Sequence, residues 1–525
     1  MRSSTQPDVV VVGSGPNGLA AAVTLARAGL EVEVLEAQPT PGGGARTAPI
    51  GLHGVVQRRA DASTDVIASL PHDLCSAVHP LGLASPFLRE FDLGARGVDL
   101  AVPEISYAQP LVDGPHGRAA IAYRDLERTV DGLGVHGRAW RRTLAPLVAH
   151  ADAVVELTLG DRRRLLLAGH RPGEWTPEAS VTDLRGPDLW RTLRAAAALG
   201  AGVLNRPTDG PAGALFAGVA VHSMSPIRGP VAGATGLLLA TLGHSVGWPV
   251  PVGGSQAIAD ALLVDLEAHG GRVHTDRRVA RRADLPPARD YVFDTAVPAV
   301  LASLGDELPA HVRAQLRRFR HGPGASTVTL VLDGPIPWAD PDVARSGTVH
   351  VAGTADEIAR AQAEIRAGRD PERPMVLLGD PVVVDPARER DGLRAVWTYA
   401  HVPSGSTTDM TERVIAQIER FAPGVRDRVV ATRCIPAGRL PEHDEAMVGG
   451  DISLGAVTAW QMLARPQVAW DSHYLGEVRG GAGAYLGSSA ALPGPGVHGM
   501  AGWAAARSLL TRRGISLPSI APDAA

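Results

Sequence analysis

The stretch Asp8-Val9-Val10-Val11-Val12-Gly13-Ser14-Gly15-Pro16-Asn17-Gly18 decides the fold. Four consecutive valines leave no wet face, so the run reads as a strand buried on both sides of a parallel sheet. Gly13 permits a tight turn, Gly15 lets the backbone approach a pyrophosphate, and Gly18 lets the next helix close on the strand. Leu19, Ala22, Val23 and Ala26 share one helical face, and Gly29 stands where a C-capping glycine belongs. A second strand, Glu31-Val-Glu-Val-Leu35, then leads to Glu36. A carboxylate there accepts hydrogen bonds from a ribose while the helix N-terminus faces the phosphates.

The spacing of glycines is weak evidence without that context. Gly132-Leu-Gly134-Val-His-Gly137 follows a polar helical stretch and reads as a loop. Gly494-Pro-Gly496-Val497-His498-Gly499 follows a short strand, Ala484-Tyr-Leu486, and precedes a helical run from Met500, but has no second strand or acid after it. Only the first copy has strand, helix, strand and acid in order.

Composition narrows the chemistry. A chain of 525 residues buries a large core and reads as two domains. A net charge of −4 gives no broad electrostatic case for nucleic acid. There is no lysine, so all 51 basic side chains are arginine, and Schiff-base or phosphate-loop lysine chemistry is excluded. Arg313, Arg317, Arg318 and Arg320 read as a solvated helix face. Cys75 and Cys434 are too far apart in sequence for a dithiol motif or a zinc site and read as two buried thiols. No metal ligand set is signalled. The N-terminal Met1–Asp8 is too short and polar for a signal peptide, and the apolar stretch Val231–Val246, broken by glycines, reads as a buried helix. A cytoplasmic location is expected.

After Glu36 comes Pro39-Thr-Pro-Gly42-Gly43-Gly44-Ala45-Arg46-Thr47, a second close-approach loop whose amides and Arg46 could meet a phosphate. With these residues in hand, the chain resembles the FAD-dependent flavoprotein oxidoreductases, and within them the phytoene desaturase-like branch of the flavin amine oxidase superfamily, which takes in proteins like pyridine nucleotide-disulfide oxidoreductase domain-containing protein 2. Three further stretches fit: Val250–Asp260, with Ser255 as a helix cap; His269–Val279; and Tyr485–Trp503. The resemblance implies an α/β protein with a Rossmann-like FAD-binding domain of discontinuous segments, 1–95, 240–310 and 470–525. The remainder, 96–239 and 311–469, would be an α+β substrate-binding domain with a mixed sheet. It assigns FAD to Gly13, Gly15, Pro16, Asn17, Gly18, Glu36, Ala37, Gly43, Gly44, Ala45, Arg46, Thr47, Val279, Gly487, Ser488, Gly496, Val497 and His498, with Val279 contacting adenine through its backbone. It implies dehydrogenase or desaturase chemistry, in which a hydride passes from an apolar small molecule to flavin N5. An unidentified electron acceptor and peripheral membrane contact also follow from it; the oligomeric state does not.

Catalytic candidates are fewer. His498 beside the flavin is either a base or a loop-bonding residue. His401 ends a strand and reads as a core histidine that could also act, and Asp451 either lines the cavity or caps a turn. The chain departs from its relatives at Ala325–Thr329 and at Pro441–Met447, and the lysine that serves the amine oxidase branch has no counterpart. A flavin-binding scaffold without turnover therefore stays open. A serine hydrolase using Ser245 in Gly243-His244-Ser245-Val246-Gly247 is disfavoured, because Pro249 and Pro251 forbid the helix that a nucleophile elbow requires.

Overall fold

The computed structural model describes residues 6–114, 116–160 and 187–523. Met1–Thr5, on which part of the leader reading rests, lie outside them. The valine run forms strand Val9–Val12, buried along its whole length. It stands inside a six-stranded sheet in the order Arg272–His274, Val32–Leu35, Val9–Val12, Asp290–Phe293, Ala482–Leu486, Tyr474–Val478. Every pairing is parallel except the last. The chain leaves the first strand on one side for Val32–Leu35 and returns much later on the other as Asp290–Phe293. That reversal is the switch point at which ligands bind in open α/β sheets.

The parallel register aligns the strand ends. Val12 pairs with both Leu35 and Phe293, and Phe293 with Leu486. The residues that follow these strand ends, Gly13, Glu36, Asp294 and Gly487, are therefore brought together along one carboxyl edge. Helix Pro16–Arg27 packs between Gln256–Ala268 and Met500–Arg513, which fixes its N-terminus above that edge. Ser255 does not cap Gln256–Ala268 as its residue type suggested. Its backbone is already helical, and its hydroxyl donates to Ser76 O (2.6 Å) and meets His79 Nε2 (2.7 Å).

A second sheet of eight strands runs Val55–Gln57, Val429–Ile435, Gly324–Leu332, Arg394–Val402, Val376–Gly379, Thr348–Val351, Ile105–Pro110, Ala119–Tyr123. It is antiparallel except where Val349 meets Ala108. Its first strand comes from 1–95, so that segment contributes to both sheets. Helices Ala151–Leu159, Pro187–Asn205, Gly210–Ala220 and Pro230–Gly243 form a separate apolar layer. Pro230–Gly243 is the buried helix expected of the Val231–Val246 stretch. Among the described residues, no helix is long and apolar enough to cross a membrane.

Candidate functional site

One cavity of about 1390 Å³ runs from the carboxyl edge of the first sheet to the helical layer. At the sheet end the Gly13–Gly15 loop and the Gly42–Gly44 loop approach main chain to main chain. A Cβ on Gly43 would stand 2.8 Å from Gly15 Cα, and one on Gly15 would stand 2.6 Å from Asp294 Oδ2. Only glycine fits such a cradle. Glu36 is buried; its Oε2 accepts from Ser14 N (2.9 Å) and Ser14 Oγ (2.5 Å), and its Oε1 from Gln38 N (2.8 Å). The acid that ends the second strand thus sets the shape of the Gly13–Gly15 loop as well as facing the cavity.

Arg46 is almost wholly buried and lines the cavity. It donates through Nε to Gly43 O (3.0 Å) and through Nη2 to His443 O (2.5 Å). Neutral carbonyls leave its charge uncancelled at contact range, and burial lowers its pKa below the usual arginine value. The sequence signals missed Asp294 and the Pro441–Met447 turn. Asp294 Oδ2 accepts from Gly18 N at 2.7 Å, and burial pushes its carboxyl up to about 7, with the Asp444 and Glu36 charges adding to the rise. Asp444 is also raised, chiefly by burial. The signal that would have found Asp294 is its place as the acid directly after the apolar run Tyr291-Val-Phe293; His443 and Asp444 had no local signal.

The far end is apolar, walled by Leu157, Leu159, Leu238, Leu239, Leu377, Trp397 and Tyr399. Trp248 and His222 belong to the same wall. His222 Nε2 lies 2.8 Å from His350 Nε2, and burial pushes His222 down to about 4, so it is neutral near pH 7. Between the two ends, Ser489 and the Pro493–Val497 loop face the cavity, with Met462 against that loop and Leu463 also in the wall. Cys75 also lines it, its thiol pushed up to about 12 by burial, which leaves it unreactive. Both cysteines are free and their residues keep some exposure, but burial also raises the Cys434 thiol, to about 11.

The structure sorts the expected site residues. Gly13, Gly15, Pro16, Asn17, Glu36, Ala37, Gly43, Gly44, Arg46, Val279, Gly496 and Val497 line the cavity. Gly18 and Ala45 stand just behind it, Gly18 holding Asp294. Thr47 does not reach it, because its hydroxyl donates to Asp73 Oδ1 (2.5 Å) and accepts from Gln256 N (3.2 Å). Gly487 and Ser488 are likewise behind the wall: Gly487 N donates to Phe293 O (2.8 Å) and Ser488 Oγ to Thr295 O (2.7 Å). The next residue, Ser489, takes the place in the wall.

None of the three catalytic candidates faces the cavity. His498 Nε2 meets Gly494 O (3.2 Å) and its Nδ1 accepts from Met500 N (3.0 Å), so both ring nitrogens are spent on the loop. Burial pushes it down to about 4. Exchange of His498 for alanine is expected to lower the thermal midpoint, by about 1–3 kcal/mol of stability for two lost bonds, without moving any pH profile. Thermal denaturation checks the first and enzyme titration the second. His401 lies in the core, its Nδ1 2.9 Å from Gln362 Nε2, its ring stacked on Tyr399, and is pushed down to about 3 by burial. Asp451 is fully buried and accepts from Gly322 N (2.7 Å) and Ser453 N (2.9 Å), so it ties a turn. Ser245 follows a helix, not a strand, and its hydroxyl donates to Thr241 O (2.9 Å). The adjacent His244 is spent on Tyr123 O and Trp140 Nε1, which removes the hydrolase reading.

Known proteins resemble this chain in sequence or in fold. The family model described as an NAD(P)-binding Rossmann-like domain matches residues 11–73. An uncharacterised protein of Mycobacterium tuberculosis is 28% identical over 463 residues, spanning 78% of this chain and 77% of its own. Pyridine nucleotide-disulfide oxidoreductase domain-containing protein 2 of Rattus norvegicus is 25% identical over 560 residues, spanning 94% and 92%. A solved structure of putrescine oxidase superposes with a TM-score of 0.55 over 97% of this chain and 99% of its own, at 15% identity. That last likeness is one of fold.

Proposed function

Because this chain carries the fold and the dinucleotide motif of the flavin amine oxidase and phytoene desaturase-like superfamily, we propose that it is an FAD-dependent oxidoreductase acting on an apolar small molecule. One observation carries the reading: a single cavity joins a dinucleotide cradle to an apolar chamber. Its volume of about 1390 Å³ exceeds the roughly 300–1,000 Å³ typical of one ligand site, which leaves room for two molecules. The cofactor domain would be assembled from 1–95, 240–310 and 470–525, with 96–239 and 311–469 enclosing the substrate.

The residues present fit FAD. Close approach of two glycine loops, the buried Glu36, and the N-terminus of Pro16–Arg27 suit a ribose and a diphosphate, and Val279 with Ala37 would wall an adenine. Bound there, FAD supplies a two-electron acceptor for a substrate hydride. The chain's own part is to position and to exclude. Leu238, Leu239, Trp397 and Tyr399 hold an apolar molecule away from water. In the tautomer whose Nε2–H donates to His350, neutral His222 would keep a bare Nδ1 to take the proton that the substrate loses. An electron acceptor from outside the chain would be needed to complete a turnover.

Gly496 tests the place of the loop. Its φ is +135°, and a Cβ would collide with Leu81. Gly496→Phe is expected to weaken FAD binding at least tenfold or to shift the flavin potential; an unchanged affinity and potential would remove Pro493–Val497 from the site. The reading as a whole is tested by purifying the protein, recording its absorption spectrum, and bleaching it anaerobically with polyenes, amines and alcohols. A yellow protein bleached by an apolar substrate is expected. A colourless protein that refuses added FAD overturns it, and a yellow protein that nothing bleaches points to a binding scaffold.

A further inference from the structure

We propose that segment 459–470, together with the arginines of 317–320, is a docking surface for an anionic phospholipid bilayer, placed at the mouth of the cavity. The route from bilayer to chamber that it implies rests on the reading of an apolar substrate given above.

Within twelve residues, Trp460 is 68% exposed, Leu463 73%, Val468 61% and Trp470 59%. Large apolar side chains clustered in this way mark an interaction site. They are held outward by a built scaffold. Arg465, in the middle of the segment, is fully buried; its Nη2 donates to Ser453 O (2.6 Å), and its guanidinium lies over Phe319, 5.7 Å from the ring centroid. Gln461 accepts from Arg320 N (2.8 Å) and donates to Arg320 O (3.0 Å) and Ala456 O (2.9 Å). Val468 N donates to Gln315 Oε1 at 2.8 Å. The segment is thereby fastened to 311–320, and the indoles are what remains outside. Indole rings, apolar with one polar edge, suit the headgroup boundary of a bilayer.

Charge selects the kind of bilayer. The chain carries a net charge of −4, yet 311–320 and 459–470 contain no acidic residue. Arg317, Arg318 and Arg320 are exposed, and among the described residues no carboxylate pairs with them. Some exposed arginines elsewhere pair, as Arg439 with Glu442 and Arg345 with Asp342, whereas these three stand together unpaired among the described residues, beside the apolar ridge. An apolar ridge flanked by unpaired cations matches an anionic lipid surface. A two-fold contact with a second copy would set these like charges against themselves.

The ridge also meets the cavity. Leu463 is both its most exposed residue and part of the cavity wall, beside Ala459 and Met462. Met462 reaches the Pro493–Val497 loop, its Cε standing 3.5 Å from where a Cβ on Gly494 would lie. An apolar molecule leaving the bilayer at the ridge would enter beside that loop without crossing water.

Flotation of the full-length, FAD-reconstituted protein with vesicles tests this. Vesicles of phosphatidylcholine alone are compared with an equimolar mixture of phosphatidylcholine and phosphatidylglycerol. The protein is expected to float with the mixed vesicles and weakly with the neutral ones. Trp460→Ser combined with Leu463→Ser should reduce the bound fraction at least tenfold. Arg317→Gln, Arg318→Gln and Arg320→Gln together should abolish the preference for the anionic mixture, each arginine being worth about fivefold. The arginine variants alter exposed side chains only, so they keep the test valid if the apolar pair does not fold. Wild-type protein that stays unbound, or variants that float equally well, overturn the proposal. So does a dimer that the apolar pair converts to monomer without any vesicle binding. Flavin absorbance, read separately, tells failure of the docking surface from failure of the cofactor reading.

Discussion

Gly502→Val is expected to cost the protein its fold and its flavin together. Helix Met500–Arg513 crosses Pro16–Arg27 with Gly502 at the contact, where a Cβ would collide with the carbonyl oxygen of Asn17 and stand 3.1 Å from Ala21 N. Both are main-chain atoms of a helix that is buried on nearly every side, so no rotamer change relieves the clash. Overpacking of a core typically costs about 1–3 kcal/mol, and a clash with backbone lies at or above the top of that range. Against a total stability of about 5–15 kcal/mol this is a large fraction. The damage reaches the site directly. Asn17 lies in the cradle, its side-chain amide donating to Ser489 Oγ (3.4 Å), so any separation of the two helices distorts the glycine loop. A fall in thermal midpoint with loss of the flavin band is the expected result. Gly200 supplies the contrast: nothing lies within 4 Å of a Cβ there, and Gly200→Ala in helix Pro187–Asn205 should be neutral or stabilising by about 0.5–1 kcal/mol. A Gly502→Val protein that melts like wild type would show that the two helices do not pack as described.

The cradle was legible because its logic is local. Strand, glycine turn, helix and second strand follow one another within thirty-odd residues, and each requirement falls on a residue type that little else explains. Val9–Val12 had to be buried on both faces, and Glu36 had to sit at a strand end; the parallel register then does the rest. Motifs identify a loop more reliably than they identify which residue of it faces inward. Thr47, Gly487 and Ser488 belong to the right segments, yet Thr47 turns to Asp73, and the two others are spent holding neighbouring strands together. His498 illustrates a different limit. A histidine in a glycine-rich loop has the right chemistry for a base, and nothing in the sequence reveals that Gly494 O and Met500 N take both its nitrogens. The turn Pro441–Met447 shows the reverse. It looked only like a departure from relatives, but it brings His443 onto Arg46 and Asp444 into the cavity from some four hundred residues away. Such meetings depend on how one sheet sits against another, which no local spacing encodes.

Asp294 makes the strongest claim about conditions, because an acid stands where a diphosphate is expected. It follows strand Asp290–Phe293 at the cavity edge, and its Oδ2 accepts from Gly18 N at the start of the helix that would receive the phosphates. The groups that bear on it are the Gly15 and Gly18 backbone, which favour its charged form, and the Asp444 and Glu36 carboxylates, which oppose it. Burial is the largest influence and pushes its carboxyl up to about 7. An unperturbed Asp titrates near about 3.9, so between that value and about 7 the folded protein holds a proton that the unfolded chain has released. Its contribution to stability is therefore present at acidic pH and is lost as pH rises toward 7. Binding of a diphosphate adds negative charge nearby and favours the protonated acid further. FAD affinity is expected to fall as pH rises above about 7, by up to tenfold per pH unit for a single linked proton. Asp294→Asn keeps an oxygen to accept from Gly18 N and removes the charge. It should bind FAD more tightly at alkaline pH and flatten both dependences. Fluorescence titrations with FAD from about pH 6 to about pH 9, paired with melting of the FAD-free protein, measure each arm. If wild type and Asp294→Asn show the same pH dependence, the carboxylate does not control the cradle, and the Asp444 and Glu36 pair becomes the place to look for whatever dependence remains.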